Sequence, residues 1–238
     1  MTLLDKLKVK IFSDGADIKE MIEMNSNPII KGLTTNPTLI AKAGVTNYRE
    51  FAREVLSYVR EKPISFEVLS DDLSIMENQA IEISSWSENV YVKIPITNTH
   101  GISTAPLIKK LSSIGIKVNV TAIMTAKQVD EIINCLDKNV PSYISIFAGR
   151  IADTGRDPLP MLVESISKIV SLNCTEVIWA SPRELLNIFQ ADKIGCHIIT
   201  VTTDILKKLN LVNYDLEKYS LDTVKMFFED AKQSNLTI

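Results

Sequence analysis

The sequence predicts an α/β fold, a single (β/α)8 barrel of the TIM-barrel type with an extra C-terminal helix. Eight short β-type runs alternate with helix-like segments along the 238 residues, which indicates parallel strands joined by right-handed crossovers. Eight such units in roughly 200–250 residues suit one closed barrel better than an open doubly wound sheet, which stays the alternative. No linker or charge block marks a boundary, so residues 1–238 are expected to form one domain.

The β-type runs and the helical segments follow each other in a regular order. Segment 47–60 has the helical period, with Phe51, Val55 and Val59 at i, i+4 and i+8. Leu107, Ile108 and Leu111 repeat this pattern after the fourth run. The runs are VKIFS (9–13), GLTTN (32–36), ISFEVL (64–69), VYVKIPI (90–96), KVNVTAIM (117–124), YISIFAG (143–149), EVIWAS (176–181) and HIITVT (197–202).

The C-terminal segment 220–238 predicts one more amphipathic helix and a tail. Leu221, Val224 and Phe228 fall on one face of this helix, and Phe227 lies near its edge. Such a face packs either on the barrel or on a neighbouring subunit.

Composition limits the possible functions. Apolar residues make up 45% of the chain, enough for a sizeable core, and the formal net charge of -3 gives no basic excess for nucleic acid or membrane lipid. Charged residues interrupt the N-terminal segment, and no run of roughly 18 apolar residues occurs, so we expect a cytoplasmic protein without signal peptide or membrane span.

Cysteine and histidine usage argues against a disulfide framework and against a zinc site. The three cysteines are isolated, which favours reduced thiols. The two histidines, His100 and His197, are far apart and in no ligand spacing. We predict no metal and no cofactor, although a carboxylate-bound magnesium ion stays open at this point.

Polar residues occur near the C-terminal ends of the predicted strands. Barrel strands are buried on both faces and should be almost wholly apolar. Catalytic groups of such barrels come from several strand ends at the C-terminal mouth, so the sequence predicts an active site there. The residues concerned are Asp14, Thr34, Thr35, Asn36, Glu67, Lys93, Asn119, Thr121, Ser145, Phe147 and Ser181.

Lys93, in the run VYVKIPI, is the most informative of these residues. A single strand lysine is more often a surface group with a buried stem, and a single Glu67 is more often a solvent contact. The coincidence across seven strands favours a site instead. Desolvation favours the neutral amine of a lysine, which can attack a carbonyl and form a Schiff base. Asp14 and Glu67 could then move protons.

Two further segments have both a structural and a functional interpretation. In WASPREL, Ser181, Pro182 and Glu184 resemble the capped start of a helix. This helix start is either a plain cap or an anion-binding site with Arg183 and Arg150 beside it.

In GLTTNPTLI, Asn36 precedes Pro37 and is biased toward an extended conformation, after which Pro37 can open a helix. This turn is either a polar rim or a place where Thr34 and Asn36 meet substrate hydroxyls, with Thr35 structural.

Five motifs in this order resemble the transaldolase family, in its small, short-chain branch that includes fructose 6-phosphate aldolases. The resemblance covers essentially the whole chain, and T-T-N-P together with V-K-I-P is specific. The motifs are GLTTNPTLIAKAG, VYVKIPIT, VNVTAIMTAKQ, YISIFAGRIADTG and WASPRE.

The resemblance implies a role for each matching residue. Lys93 would be the Schiff-base lysine, and Asp14 would take and return the proton of the hydroxyl next to the cleaved bond. Glu67 and Thr121 would hold the water of the carbinolamine and imine steps. The substrate-binding residues implied are Thr34, Asn36, Asn119, Ser145, Phe147, Arg150, Ser181 and Arg183, of which Arg150, Arg183 and Ser181 would bind the phosphate.

The resemblance also implies an activity. Such enzymes transfer a dihydroxyacetone unit from fructose 6-phosphate or sedoheptulose 7-phosphate to an aldose phosphate, in the pentose phosphate pathway, without a cofactor. They often form homo-oligomers, pentamers or decamers, with the C-terminal helix on a neighbour. The related aldolases carry Gln in place of Glu67 and Tyr in place of Phe147, so both residues match the transferases.

Some positions depart from the family pattern. Pro182 replaces a Phe before Arg183, and Ile146 replaces a Pro before Phe147. The first run ends in SDGAD instead of an L-D-T/S type ending, although Asp14 is kept. These changes affect the expected phosphate affinity and substrate more than the chemistry of Lys93. The alternatives are an aldolase of the same mechanism, a sugar-phosphate isomerase or epimerase that uses the two carboxylates, and a non-catalytic metabolite-binding barrel.

Overall fold

The computed structural model describes residues 3–234, and its eight parallel strands close into a barrel in sequence order, β1 to β8. The closed barrel confirms the predicted fold class. The strands are β1 (Lys10–Asp14), β2 (Ile30–Thr34), β3 (Ile64–Glu67), β4 (Val90–Pro95), β5 (Val118–Ile123), β6 (Ser142–Ile146), β7 (Thr175–Trp179) and β8 (Ile198–Thr202).

Helices follow every strand and cover the outside of the barrel. They are α1 (Ile18–Ser26), α2 (Pro37–Lys42), α3 (Tyr48–Tyr58), α4 (Leu73–Ser84), α5 (Ala105–Ser113), α6 (Ala126–Ile133), α7 (Ala148–Ala152), α8 (Leu159–Lys168), α9 (Leu186–Lys193), α10 (Thr203–Leu206) and α11 (Leu216–Gln233). Short 3-10 turns lie at Leu4–Lys6, Ile169–Ser171 and Lys207–Leu211.

Strand alternation divides the barrel into an outer and an inner set of side chains. Outward-facing residues such as Val92, Ile94 and Val120 join the core between strands and helices. A second cluster packs separately, with Phe12, Tyr143, Ile178, Ala180 and Ile198 as its buried members. Asp14, Lys93 and Ser145 follow Phe12, Tyr91 and Tyr143 by two residues on the same strands. The apolar cluster therefore lies closer to the N-terminal ends of the strands than these polar residues do.

Aromatic rings close the lower part of the barrel interior. Tyr91 and Tyr143 stack with centroids 4.0 Å apart, and Phe12 meets Tyr143 edge to face at 5.9 Å. A Cβ on Gly32 would lie 2.5 Å from Cζ of Phe12, so only glycine leaves room for this ring in β2. The interior is therefore filled below and open only toward the C-terminal ends of the strands.

The predicted helix start at Ser181 is wrong. Ser181 has a left-handed φ of 60°, and α9 begins only at Leu186 with no side-chain cap. The amides of Arg183 and Glu184 instead donate to the side-chain oxygen of Asn187. The turn at Ser181 redirects the chain after β7, so the S-x-x-E pattern does not form a capping box.

Several strand ends differ from the predicted bounds. Asp14 is the last residue of β1, whereas residues 35–36 and residues 147–149 lie beyond β2 and β6. The predicted helix start at Pro37 is confirmed, since Asn36 is its N-cap and accepts a bond from Leu39 N. The C-terminal helix begins at Leu216, four residues earlier than predicted. Residues 235–238 of the predicted tail lie outside the described residues.

Candidate active site

A cavity of about 390 Å³ opens at the C-terminal mouth of the barrel. Residues from the ends of all eight strands line it, because inward-facing positions there carry polar rather than apolar side chains. The structure brings all twelve sequence-predicted site residues around this cavity: Asp14, Thr34, Asn36, Glu67, Lys93, Asn119, Thr121, Ser145, Phe147, Arg150, Ser181 and Arg183.

Lys93 lies in the wall of this cavity with only 6% of its surface exposed. Its neighbours Val92 and Ile94 point outward into the core, which fixes its side chain inward. Its Nζ donates to the carbonyl oxygen of Thr35 at 2.9 Å and lies 3.1 Å from Oε2 of Glu67. The amine therefore has a carboxylate within direct proton-transfer distance in a largely water-excluded place.

Asp14 ends β1 and is held by two donors. The hydroxyl of Thr34 donates to Oδ1 at 2.8 Å, and the amide of Asn36 donates to Oδ2 at 3.3 Å. Burial raises the pKa of Asp14, and the charge of Lys93 and the two hydrogen bonds only partly offset this effect. A carboxyl with a raised pKa can accept and return a proton more evenly than a free aspartate.

Asn119 is fixed by two buried hydroxyl groups. Its side-chain oxygen accepts a bond from Ser145 at 2.7 Å, and its amide nitrogen donates to Ser65 at 3.0 Å. The sequence analysis missed Ser65, although its position two residues before Glu67 on β3 places it on the same inward face. The three side chains form one rigid polar layer between β3, β5 and β6.

Thr121 has a buried hydroxyl without a hydrogen-bond partner among residues 3–234. The next residue, Ala122, has a left-handed φ of 62°, and the pairing of β5 with β6 shifts register between Val120 and Ile123. Bulges of this kind re-aim side chains next to active sites. Since buried polar groups are rarely left unpaired, the Thr121 hydroxyl is suited to bind a water or a substrate atom in the cavity.

Arg150 and Arg183 lie on one side of the cavity mouth, near Ser181. The guanidinium of Arg150 lies 5.6 Å from the ring centre of Phe147, within cation–π range. Arg183 pairs with Asp153 through both carboxylate oxygens, and its Nε lies 2.9 Å from Oδ1. Hydrogen bonding from Arg183 lowers the pKa of Asp153. The sequence analysis missed Asp153, which takes part of the charge of Arg183.

The eighth strand adds two residues that the sequence analysis also missed. Thr200 and Thr202 line the cavity, and the hydroxyl of Thr200 is hydrogen-bonded to that of Thr34, the residue that holds Asp14. The signal was present, because positions 200 and 202 are alternate polar residues at the end of the last run.

Neither a metal cluster nor a membrane span is found in the part of the chain that the structure describes. Across residues 3–234, no three His, Cys, Asp or Glu side chains gather as a metal site would require. Over the same range, none of the helices combines the length and the apolar character needed to cross a bilayer.

Comparison with known proteins identifies the relatives of this chain. The model of the transaldolase/fructose-6-phosphate aldolase family matches residues 11–238. A probable transaldolase of Thermoanaerobacter sp. (strain X514) is 35% identical over 97% of this chain and 100% of its own length. Probable transaldolases of Methanococcus maripaludis (strain C6) and Clostridium acetobutylicum are each 36% identical, over 90% and 92% of this chain and 97% and 99% of their own lengths.

Solved structures resemble this chain in fold alone. A putative lyase/mutase from Burkholderia cenocepacia aligns with a TM-score of 0.57 at 9% identity, over 97% of this chain and 86% of that one. The flavin-binding domain of baker's yeast flavocytochrome b2 aligns with a TM-score of 0.56 at 12% identity, over 85% of this chain, which spans 62% of the length of that chain.

Proposed function

The chain belongs to the transaldolase/fructose-6-phosphate aldolase family, and we propose that it is a transaldolase that forms a Schiff base at Lys93. It transfers a dihydroxyacetone unit from a ketose phosphate, fructose 6-phosphate or sedoheptulose 7-phosphate, to an aldose phosphate. The observation that carries this proposal is the buried Lys93 amine, 3.1 Å from the carboxylate of Glu67 at the wall of a polar cavity.

Formation of the Schiff base requires a neutral amine and an exit for water. Glu67 takes a proton from Lys93, and the free amine attacks the C2 carbonyl of the ketose to give a carbinolamine. Loss of the C2 oxygen as water, with the proton returned by Glu67, leaves an iminium. The unpartnered hydroxyl of Thr121 supports this step, since with Glu67 it provides a place for that water.

Asp14 acts as the general base in the cleavage of the carbon–carbon bond. Its carboxylate accepts the proton of the C4 hydroxyl, the C3–C4 bond breaks, and the electron pair moves to the iminium nitrogen, which gives an enamine and a free aldose phosphate. The enamine carbon then attacks the carbonyl of the acceptor aldose phosphate, and Asp14 returns its proton to the new alkoxide. Water, added at the Glu67–Thr121 position, releases the product from Lys93.

The remaining predicted residues bind the two ends of the substrate. Thr34, Asn36, Asn119 and Ser145 offer hydroxyl and amide groups to the three-carbon unit. Arg150, Arg183 and Ser181 lie together at the cavity mouth and bind the phosphate, for which guanidinium groups are well suited. The pairing of Arg183 with Asp153 leaves Arg150 as the stronger phosphate ligand of the two.

A fructose 6-phosphate aldolase with the same Lys93 chemistry is the second candidate, since the family contains both activities. It differs only in the fate of the enamine, which is protonated and released instead of attacking an acceptor. Phe147 at the cavity wall has no hydroxyl to donate a proton, which favours transfer.

Borohydride trapping tests the proposal directly. We expect intact-protein mass to show an added three-carbon or intact-sugar adduct after reduction with fructose 6-phosphate or sedoheptulose 7-phosphate, and peptide mapping to place it on Lys93. Lys93→Ala should give no adduct. Lys117 lies just before β5 and does not line the cavity, so Lys117→Ala should behave as wild type.

Failure of wild type to form an adduct with either sugar would contradict the Schiff-base mechanism for these substrates.

If an adduct forms, adding erythrose 4-phosphate separates the two candidates. A transaldolase makes sedoheptulose 7-phosphate from fructose 6-phosphate, whereas an aldolase releases free dihydroxyacetone.

A further inference from the structure

The sheet is one hydrogen bond short where β2 meets β3. Leu33 N donates to Pro63 O at 2.8 Å, and Thr35 N donates to Ser65 O at 3.2 Å. In an evenly spaced parallel ladder, the amide of Glu67 would next donate to the carbonyl of Thr35. The Glu67 amide donates instead to the phenol oxygen of Tyr48 at 2.9 Å.

The carbonyl of Thr35, which the Glu67 amide does not use, accepts a hydrogen bond from another donor. Thr35 O accepts the hydrogen bond from the Lys93 amine at 2.9 Å. The side chain of Thr35 continues the sheet contact by donating to Ser65 O at 2.9 Å, so β2 and β3 remain joined next to the missing bond. The Lys93 amine thus occupies an acceptor that the regular sheet would have used.

Tyr48 is held rigidly in the place from which it makes this contact. It is the first residue of α3, and its ring lies edge to face with Phe66 at 6.1 Å and Trp86 at 5.8 Å and stacks on Phe51 at 6.5 Å. Burial raises the pKa of the Tyr48 hydroxyl, which therefore keeps its proton. Tyr48 does not line the cavity of Lys93, so it acts from behind the strands.

We infer that Tyr48 is a positioning residue for the Lys93 reaction: by accepting the Glu67 amide, its hydroxyl keeps the Thr35 carbonyl free to orient the Lys93 amine beside the Glu67 carboxylate. This inference rests on the proposed function for its kinetic consequence, while its structural consequence is independent of it. One hydroxyl on the outer side of the sheet fixes both the base and the nucleophile.

Tyr48→Phe tests the inference, because it removes the hydroxyl and keeps the ring among its aromatic neighbours. A buried amide without a partner is costly, so we expect the Glu67 amide to turn to Thr35 O and displace the Lys93 amine. The crystal structure of the variant should show a Glu67 N–Thr35 O hydrogen bond and no contact between Lys93 Nζ and Thr35 O.

The kinetic readout separates positioning from a general loss of stability. Below the melting temperature of the variant, we expect kcat and the rate of borohydride-trapped adduct formation to fall by about tenfold, with KM within about twofold, as for loss of one buried hydrogen bond to the reacting group. Tyr58→Phe is the matched control, since Tyr58 ends the same helix and its side chain is half-exposed.

Two results would each overturn the inference. One is a Tyr48→Phe structure that retains the Lys93–Thr35 contact, and the other is a kcat within twofold of wild type or of Tyr58→Phe. If wild type neither transfers nor cleaves any ketose phosphate, the proposed function fails, whereas the Lys93–Thr35 contact in the variant structure still decides the role of Tyr48.

Discussion

Asp14 shows at the scale of a single residue how a site group weakens the fold that carries it. Burial raises its pKa, so the folded protein keeps a proton on this group at pH values where the unfolded chain has lost it. The contribution of Asp14 to the free energy of unfolding is therefore greatest below the ordinary aspartate pKa and is lost as pH rises through the raised folded-state pKa. The ionised form that the proposed mechanism requires therefore destabilises the barrel.

Asp14→Asn should abolish sugar transfer and raise the melting temperature near neutral pH, because it removes a buried charge and keeps the shape of the side chain. The gain should shrink as the pH falls through the raised pKa of Asp14, because the wild-type side chain then becomes protonated itself. Calorimetry between pH 4 and 8 measures this. Asp72→Asn is the contrast, since hydrogen bonds from Ser74 and Ile75 lower the pKa of Asp72, and its removal should give no stabilisation. An Asp14→Asn melting temperature below wild type at pH 7 would contradict this account.

In the proposed mechanism, the lack of a hydroxyl on Phe147 decides the fate of the enamine. We expect Phe147→Tyr to raise cleavage relative to transfer several-fold, because a phenol at this wall of the cavity can donate a proton or hold a quenching water. Phe147→Leu, which also lacks a hydroxyl, controls for the change of shape. The ratio of free dihydroxyacetone to transfer product is the measurement, and an unchanged ratio in Phe147→Tyr would remove this explanation.

At the scale of elements, α7 and the turn after β7 fit together through a glycine. A Cβ added to Gly149 would lie 1.5 Å from the carbonyl oxygen of Ser181 and 3.2 Å from Nε of Arg183. This contact explains why Ser181 turns left-handed instead of starting a helix, since the chain must pass over α7 before α9 begins. The predicted phosphate ligands Arg150 and Arg183 are brought together by this packing and not by a helix N-terminus.

Gly149→Ala should therefore move the Ser181 turn, cost about 1–3 kcal/mol in the free energy of unfolding, as overpacking does, and raise KM for phosphorylated sugars. Denaturant unfolding and steady-state kinetics measure the two effects. Gly15→Ala, where a Cβ meets nothing within 4 Å, controls for the stability measurement. An unchanged KM in a folded Gly149→Ala variant would show that the turn does not position the phosphate ligands.

At the scale of the whole molecule, α11 extends beyond the barrel with its apolar face uncovered. None of its residues is buried, and Leu221, Val224, Phe227 and Phe228 are each more than half exposed. An apolar surface of this kind is typical of an interface. We propose, as the family resemblance implies, that α11 packs on a neighbouring copy in a homo-oligomer.

Phe228→Glu should reduce the mass of the assembly measured by light scattering, because it places a charge on the apolar face that the neighbour would cover. Lys225→Glu, on the same helix and already charged, should leave the mass unchanged. A wild-type protein that is monomeric at micromolar concentration would contradict the proposal, and α11 would then need another partner.

The sequence by itself determined the barrel, because eight apolar runs alternating with amphipathic segments leave few other ways to bury both faces of parallel strands. It also determined which strand ends carry polar side chains, since the alternation along a strand places Lys93, Asn119 and Ser145 inward with their polar neighbours. The local sequence pattern was sufficient to place a site residue wherever its polar side chain also fell on the inward face by the two-residue period of the strand.

Only the tertiary structure decided the contacts between elements distant in sequence. The left-handed turn at Ser181, the pairing of Asp153 with Arg183 and the bond from the Glu67 amide to Tyr48 each depend on how a helix packs against a neighbouring loop or strand. The capping pattern at Ser181 does not form because Ser181 is left-handed and its carbonyl packs directly against Gly149 of α7, a tertiary contact that a local capping preference of about 1 kcal/mol does not override.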